Sequence, residues 1–141
     1  MSISSARQRA QNLLFNWVPM ILWMALVFWL SSQPKIPHPG REMGLSDELV
    51  AYAGHVFLFG VLALLVWRVL PDRPHTMLES PARPPLLGTV LLSALYAVTD
   101  ELHQLSTPGR QASVADWLAD LVGILIATYL LTRRARQRGR R

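Results

Sequence analysis

Four apolar stretches in the chain are each long enough to cross a lipid bilayer as a helix. They run from Leu14 to Leu30, Leu49 to Leu70, Leu86 to Leu105 and Val114 to Leu131. A helix needs about 20 residues to cross the hydrocarbon core, and a single segment can satisfy its own backbone hydrogen bonds there only as a helix. The pattern therefore predicts an all-α fold, an integral membrane four-helix bundle with up-down topology.

The composition agrees with this prediction. Hydrophobic residues make up 51% of the 141 residues and charged residues 16%, against about 25% charged in soluble domains. We expect one domain, with a tail at residues 1–13, the transmembrane bundle at residues 14–132 and a basic tail at residues 133–141. The chain has no cysteine, which excludes disulfides, thiolate metal sites and a cysteine nucleophile.

The distribution of lysine and arginine predicts the orientation of the bundle. Eleven of the 14 basic residues lie in the N-terminal tail, in the region from Arg68 through the second connection, and in the C-terminal tail, which an up-down bundle places on one side. The positive-inside rule puts that side in the cytoplasm, together with both termini. The net charge of +5 is thus explained by topology, and no nucleic-acid partner is expected. An uncleaved first helix fits better than a signal peptide, because no small-x-small cleavage site follows it.

Polar residues gather at the helix ends that share the outer membrane face. The candidate pocket residues are His55, Asp100, Glu101, His103, Gln104, Arg110, Asp116 and Asp120. An ionisable group exposed to hydrocarbon costs several kcal/mol, so these side chains should face one another or water. We expect a pocket that opens outward, with Asp100, His103 and Asp116 at its centre. The competing interpretation is that the same groups only hold the helices together.

Helical spacing predicts which of these residues share a face. On the third helix Asp100, His103 and Gln104 lie on one face with Tyr96, whereas Glu101 points about 100° away. The fourth helix carries small residues at intervals of four, namely Ala115, Ala119, Gly123 and Ala127. Such a ridge lets a neighbouring helix approach closely. We expect this approach to bring Asp100 and Asp116 within reach of each other.

The connections have the composition of loops. "PDRPHTMLESPARPP" carries five prolines and predicts an extended cytoplasmic loop, and "QPKIPHPGREMGLSDE" predicts an outer loop that ends in a helix cap at Ser46 or Asp47. His38 and His75 fall in these loops and are expected to be solvated. In the "TPGR" turn, Gly109 tolerates positive φ and places Arg110 over the outer mouth.

The charges leave several chemistries open. Four carboxylates face one arginine and two histidines, which argues against a plain phosphate receptor and favours a bound cation, an amine or a sugar headgroup. The histidines and acids also suit Zn²⁺ or Mn²⁺, so a divalent metal and an intramembrane metal-dependent hydrolase are one alternative, although no HExxH spacing supports it. A proton or ion relay is another, and it would require a homo-oligomer. Whether the protein is an enzyme stays open.

Three segments of the sequence resemble the VanZ-like family of bacterial membrane proteins. They are "SSQP" after the first helix, the histidine in "AYAGHVFLFG", and above all "YAVTDELHQLSTPGRQASVADWLADLVG". The resemblance covers most of residues 25 to 127. It implies a multi-pass protein of the bacterial cytoplasmic membrane with a cell-envelope role, in a family whose naming member is associated with reduced susceptibility to the glycopeptide teicoplanin.

Two residues depart from the family pattern. Tyr52 stands where the family often has a lysine, and Asp120 stands where it often has an asparagine. The pocket thereby loses a cation and gains an acid. The function predicted from these features is recognition or modification of a polar envelope component, such as a lipid headgroup or a lipid-linked cell-wall precursor.

Overall fold

The part of the chain that the structure describes forms four helices. A computed structural model describes residues 13–33, 44, 46–70 and 85–138. The helices are α1 (Val18–Ser31), which continues a π-helical turn at Leu13–Trp17, then α2 (Asp47–Val69), α3 (Leu86–Gln104) and α4 (Val114–Arg138). The predicted all-α four-helix fold is confirmed. The N-terminal tail, most of the first two connections, His38 and His75 lie outside the described residues.

Three of the helical segments are long and apolar enough to cross a membrane, judged by length and composition. They are Leu13–Ser31, Asp47–Val69 and Val114–Arg138. The third predicted span forms α3 at nearly the expected bounds but is not among them, because its last turns are polar. Asp100, Glu101 and Gln104 in these turns are buried against the other helices. The chain is a membrane protein in which α3 depends on its neighbours to cover its polar end.

Local sequence explains where the helices begin and end. The Ser46 side chain accepts a hydrogen bond from the Leu49 backbone N–H at 3.2 Å, which confirms one of the two predicted caps of α2. Gly109 has a φ of 79°, as the predicted turn requires. Helix α4 continues past the predicted end to Arg138, because arginine has a high helix propensity and a positive charge is favourable at a helix C-terminus.

The contacts between helices establish the up-down order. The C-terminal end of α1 meets the C-terminal part of α3, where Ser31 bonds Asp100. At the opposite end of the bundle, Arg68 near the end of α2 donates to the Phe15 carbonyl at 3.3 Å. In between, the Trp23 indole donates to the Leu58 carbonyl at 2.9 Å, which ties α1 to α2.

Helices α2 and α4 pack backbone against backbone at two glycines. A Cβ on Gly60 would lie 3.4 Å from the Gly123 carbonyl oxygen, and a Cβ on Gly123 would overlap the Val56 carbonyl. Ala119 and Ala127 of the predicted small-residue ridge are buried beside this contact, whereas Ala115 is exposed. The ridge therefore brings α4 against α2.

The interior of the bundle is rich in polar residues, and its lateral surface is mostly apolar. Its buried polar residues are as numerous as its buried apolar ones and include Thr89, Ser93, Asp100, Glu101, Gln104, Asp120 and Thr128. Large apolar side chains point outward instead, as Leu87 does with 68% of its surface exposed. In water this distribution would be unfavourable, but in lipid the outward side chains lie in hydrocarbon, and most of the inward polar side chains hydrogen-bond to other side chains or to backbone carbonyls of the bundle.

Replacing Gly123 by alanine should destabilise the bundle by about 1–3 kcal/mol, because the new methyl group forces α2 and α4 apart. The denaturation midpoint in detergent measures this loss. Gly54→Ala is the matched control, since a Cβ there meets nothing within 4 Å and alanine is the better helix former. Equal stability of the two variants would contradict the close-packing account.

Candidate functional site

All eight candidate residues lie at the same end of the bundle. This end is formed by the C-terminal parts of α1 and α3, the N-terminal parts of α2 and α4, and the short connection between α3 and α4. The structure divides them between two clusters of neighbouring side chains and one helix-capping contact. His55, Glu101, Asp116 and Asp120 form what we call the acid cluster, and Asp100, His103 and Gln104 join Ser31 and Ser32 in what we call the serine cluster.

The acid cluster is built on the α2–α4 contact. The His55 Nδ1 atom lies 2.9 Å from Asp120 Oδ1, and its Nε2 atom lies 4.0 Å from Asp116 Oδ2. The i, i+4 spacing places both aspartates on the face of α4 that meets α2. Asp120 is fully buried, whereas the side chain of Asp116 is 20% exposed. The cluster thus runs from the bundle interior toward the membrane boundary.

Glu101 reaches the acid cluster from α3. Its Oε2 atom accepts a hydrogen bond of 2.7 Å from the Ser113 backbone N–H, just before α4. Its Oε1 atom is buried and has no hydrogen-bond partner among the described residues, and the same holds for Asp120 Oδ2. His55, Glu101 and Asp120 each offer a potential metal-ligand atom, and these three atoms lie within 4.8 Å of one another.

The serine cluster joins α1 to α3. The Ser31 hydroxyl lies 2.6 Å and 2.8 Å from the two carboxylate oxygens of Asp100, and Gln104 Nε2 donates to the second oxygen at 3.1 Å. Asp100 and Gln104 are both almost fully buried. The carboxylate of Asp100 is therefore largely satisfied by hydrogen bonds to neutral partners.

His103 lies at the edge of the serine cluster. Its Nε2 atom is 2.9 Å from the Ser32 hydroxyl, and its ring stacks on Phe28 with a centroid separation of 3.8 Å. The ring is half-buried and faces α1. As predicted from helical spacing, Tyr96 shares this face, and its hydroxyl donates to the Met24 carbonyl of α1 at 2.7 Å.

Arg110 caps the end of α1. Its Nε atom donates to the Gln33 carbonyl at 3.1 Å, and its Nη2 atom lies 3.5 Å from the Leu30 carbonyl. Helix C-termini carry unsatisfied carbonyls and a partial negative charge, which a guanidinium group satisfies well. The guanidinium group therefore contacts α1 at the predicted mouth of the site.

The arrangement differs from the predicted centre of Asp100, His103 and Asp116. Asp100 and His103 face α1 in the serine cluster, whereas Asp116 faces His55 in the acid cluster, so the predicted centre is divided between the two clusters. Glu101, which helical spacing placed about 100° from Asp100, is the residue of α3 that faces α4. Helical spacing within one helix does not reveal which neighbour each face meets.

Two residues that shape the site were not predicted from the sequence. Gly60 packs against Gly123. The sequence feature that could have identified it is its position about one and a half turns after His55 on the same helix. Ser113 caps α4 through its hydroxyl, which accepts from the Asp116 N–H at 3.2 Å, and its N–H binds Glu101. The spacing of Ser113 and Asp116 matches a capping box, which the sequence could have revealed.

Comparison with known proteins gives one match. A protein-family model described as VanZ/LLP1 matches residues 4–134. No curated protein and no solved structure matches the chain.

Removing the hydroxyl of Ser31 should destabilise the bundle by about 1–3 kcal/mol, because Asp100 then keeps a buried carboxylate with one fewer donor. Denaturation of Ser31→Ala in detergent checks this value. The control is Ser106→Ala, whose hydroxyl is exposed and should change stability by less than about 0.5 kcal/mol. A Ser31→Ala variant as stable as the control would show that the bond to Asp100 contributes little.

Proposed function

The chain belongs to the VanZ/LLP1 family, and from this premise we propose that it binds the polar headgroup of a membrane lipid or lipid-linked precursor at the polar end of its bundle. The observation that carries the proposal is the convergence of polar side chains from all four helices at that end, in a bundle that exposes large apolar side chains along its length. Ionisable residues in membrane helices are costly and mark functional sites by default.

The partly exposed members of the two clusters support a binding role. The side chain of Asp116 is 20% exposed and lies 4.0 Å from His55, and His103 is half-buried beside Ser32. A headgroup at the membrane boundary would reach these groups first. Residues whose only role is to join helices need no such exposure.

A cavity beside Glu101 supports the same proposal. It has a volume of about 210 Å³ and is lined by Val98, Glu101, Leu102, Ala112, Ser113, Val114 and Trp117. Trp117 contributes a buried indole N–H with no partner among the described residues. The lining is almost entirely apolar, so the cavity suits the apolar part of a lipid that lies next to its headgroup.

Orientation relative to the membrane is part of the proposal. The arginines at the end of α4 support a cytoplasmic C-terminus and an outward-facing polar end. The polar end would then face the side of a bacterial cytoplasmic membrane on which envelope precursors are assembled into the wall. This placement agrees with the reduced teicoplanin susceptibility associated with the naming member of the VanZ-like family.

Single cysteines test the orientation cleanly, because the chain has none of its own. A membrane-impermeant maleimide added to intact cells should label Ser106→Cys, which is exposed at the polar end. It should label Gln137→Cys, at the opposite end of α4, only after the cells are permeabilised. The reverse pattern would place the polar end in the cytoplasm and contradict the proposal.

Native mass spectrometry of the protein extracted with its lipids tests the binding role. We expect one polar lipid species to be retained, and we expect Asp116→Asn to lower its retention about tenfold or more, since a hydrogen bond to a charged group contributes about 1.5–3 kcal/mol. Glu48→Gln, an exposed acid in the first turn of α2, is the matched control.

Three outcomes would contradict the binding role. Retention that is the same in wild type and Asp116→Asn would leave the polar end as a purely structural feature. Conversion of the retained lipid to a species of different mass would make the protein an enzyme. Dependence on a membrane potential would favour an ion relay.

A further inference from the structure

Three metal-ligating side chains from three different helices meet inside the bundle. His55 of α2, Glu101 of α3 and Asp120 of α4 each place a ligand atom within 4.8 Å of the other two. Ligand atoms about 2.1 Å from a common ion are about 3.4 Å apart in a tetrahedral site. Small side-chain movements are therefore enough to bring all three atoms to one cation.

Two of these side chains hold oxygen atoms that lack a partner. Asp120 Oδ2 and Glu101 Oε1 are buried and unpaired among the described residues, in side chains of residues that are 0% and 7% exposed. A buried acceptor without a partner is expensive, and more so when it carries charge. Each carboxylate already uses its other oxygen, so the two free atoms are the ones available to a ligand.

The charges of the acid cluster are unbalanced in a way that a cation would correct. Glu101, Asp116 and Asp120 provide three carboxylates around one imidazole. The ion pairs that they form among the described residues are both with His55. Arg110, at the same end of the bundle, is engaged with the carbonyls of α1. In a low-dielectric interior, a divalent ion neutralises two of these negative charges and satisfies the free oxygens together.

We propose that His55, Glu101 and Asp120 bind one divalent first-row metal ion, Zn²⁺ or Mn²⁺. One imidazole nitrogen with carboxylate oxygens is a donor set that suits these ions, whereas Ca²⁺ and Mg²⁺ prefer oxygen ligands alone. Asp116, 4.0 Å from the imidazole, lies at the edge of this group and leads from it toward the membrane boundary. The ion would connect the three helices at the depth where α3 is most polar.

This inference goes beyond headgroup binding and stands without it, because the ion is held by side chains of the protein alone. It can therefore be tested in detergent from which lipids have been removed. The purified chain is treated with a chelator, dialysed against Zn²⁺ or Mn²⁺, and its metal content is measured by inductively coupled plasma mass spectrometry. Titration calorimetry then gives the dissociation constant.

We expect one ion per chain in the wild type. Asp120→Asn and Glu101→Gln should each weaken binding by about 100-fold or more, because even the loss of an outer partner of a metal ligand typically costs 10–100-fold. Glu48→Gln, which removes an exposed acid from the same end of the bundle, should leave the affinity within about twofold. Mn²⁺ binding can be followed independently through its electron paramagnetic resonance signal.

A folding control keeps the test decisive. Circular dichroism and gel filtration identify variants that remain folded. Glu101→Gln is the milder of the two, because the glutamine side-chain oxygen can still accept the hydrogen bond from the Ser113 N–H. A wild-type chain that takes up no ion, or folded variants that bind as tightly as wild type, would overturn the proposal. Loss of headgroup binding with intact metal uptake would leave the metal site standing.

Discussion

The contact between α2 and α4 at Gly60 and Gly123 is the constraint on which the polar end depends. At this crossing the backbones meet with no side chain between them. The crossing fixes the distance and rotation of the two helices, and His55 and Asp120, which lie close to it, fall within hydrogen-bond distance as a result. In a membrane, where lipid tails are as apolar as leucine, such close packing is one of the few sources of helix association.

The acid and serine clusters show two different ways to bury a carboxylate. Asp100 receives hydrogen bonds from Ser31 and Gln104 on both of its oxygens, so its contacts within the protein account for its position. Asp120 is equally buried but uses only one oxygen, toward His55. Two acids at the same end of the bundle thus differ in what they leave available. The contacts of Asp100 suit a structural role, whereas Asp120 keeps one carboxylate oxygen available to a ligand from outside the protein.

The sequence predicted the helices well and their pairing less well. Apolar length located all four, and Ser46 and Gly109 marked a cap and a turn correctly, because these are local properties of the chain. Helical spacing also placed Asp100 and His103 on one face. The neighbour of that face was not predictable, since several helix arrangements satisfy the same spacing. In the structure Asp100 therefore faces α1 and Asp116 faces α2, so the predicted centre of the site is divided between two helix contacts.

Helix α4 is longer than a bilayer requires, and this length has a consequence for the whole bundle. Its 25 residues extend about 37 Å, against a hydrocarbon core of about 30 Å. In a bilayer, arginine side chains are most favourable among the phosphates of one leaflet, so the arginine-bearing end would set the height of the other end. Asp116 is carried on that other end, and its distance from the surface water follows the thickness of the surrounding lipid. The position of Asp116 should accordingly depend on acyl-chain length. A thicker bilayer would bury Asp116 more deeply, and a thinner one would bring it closer to water.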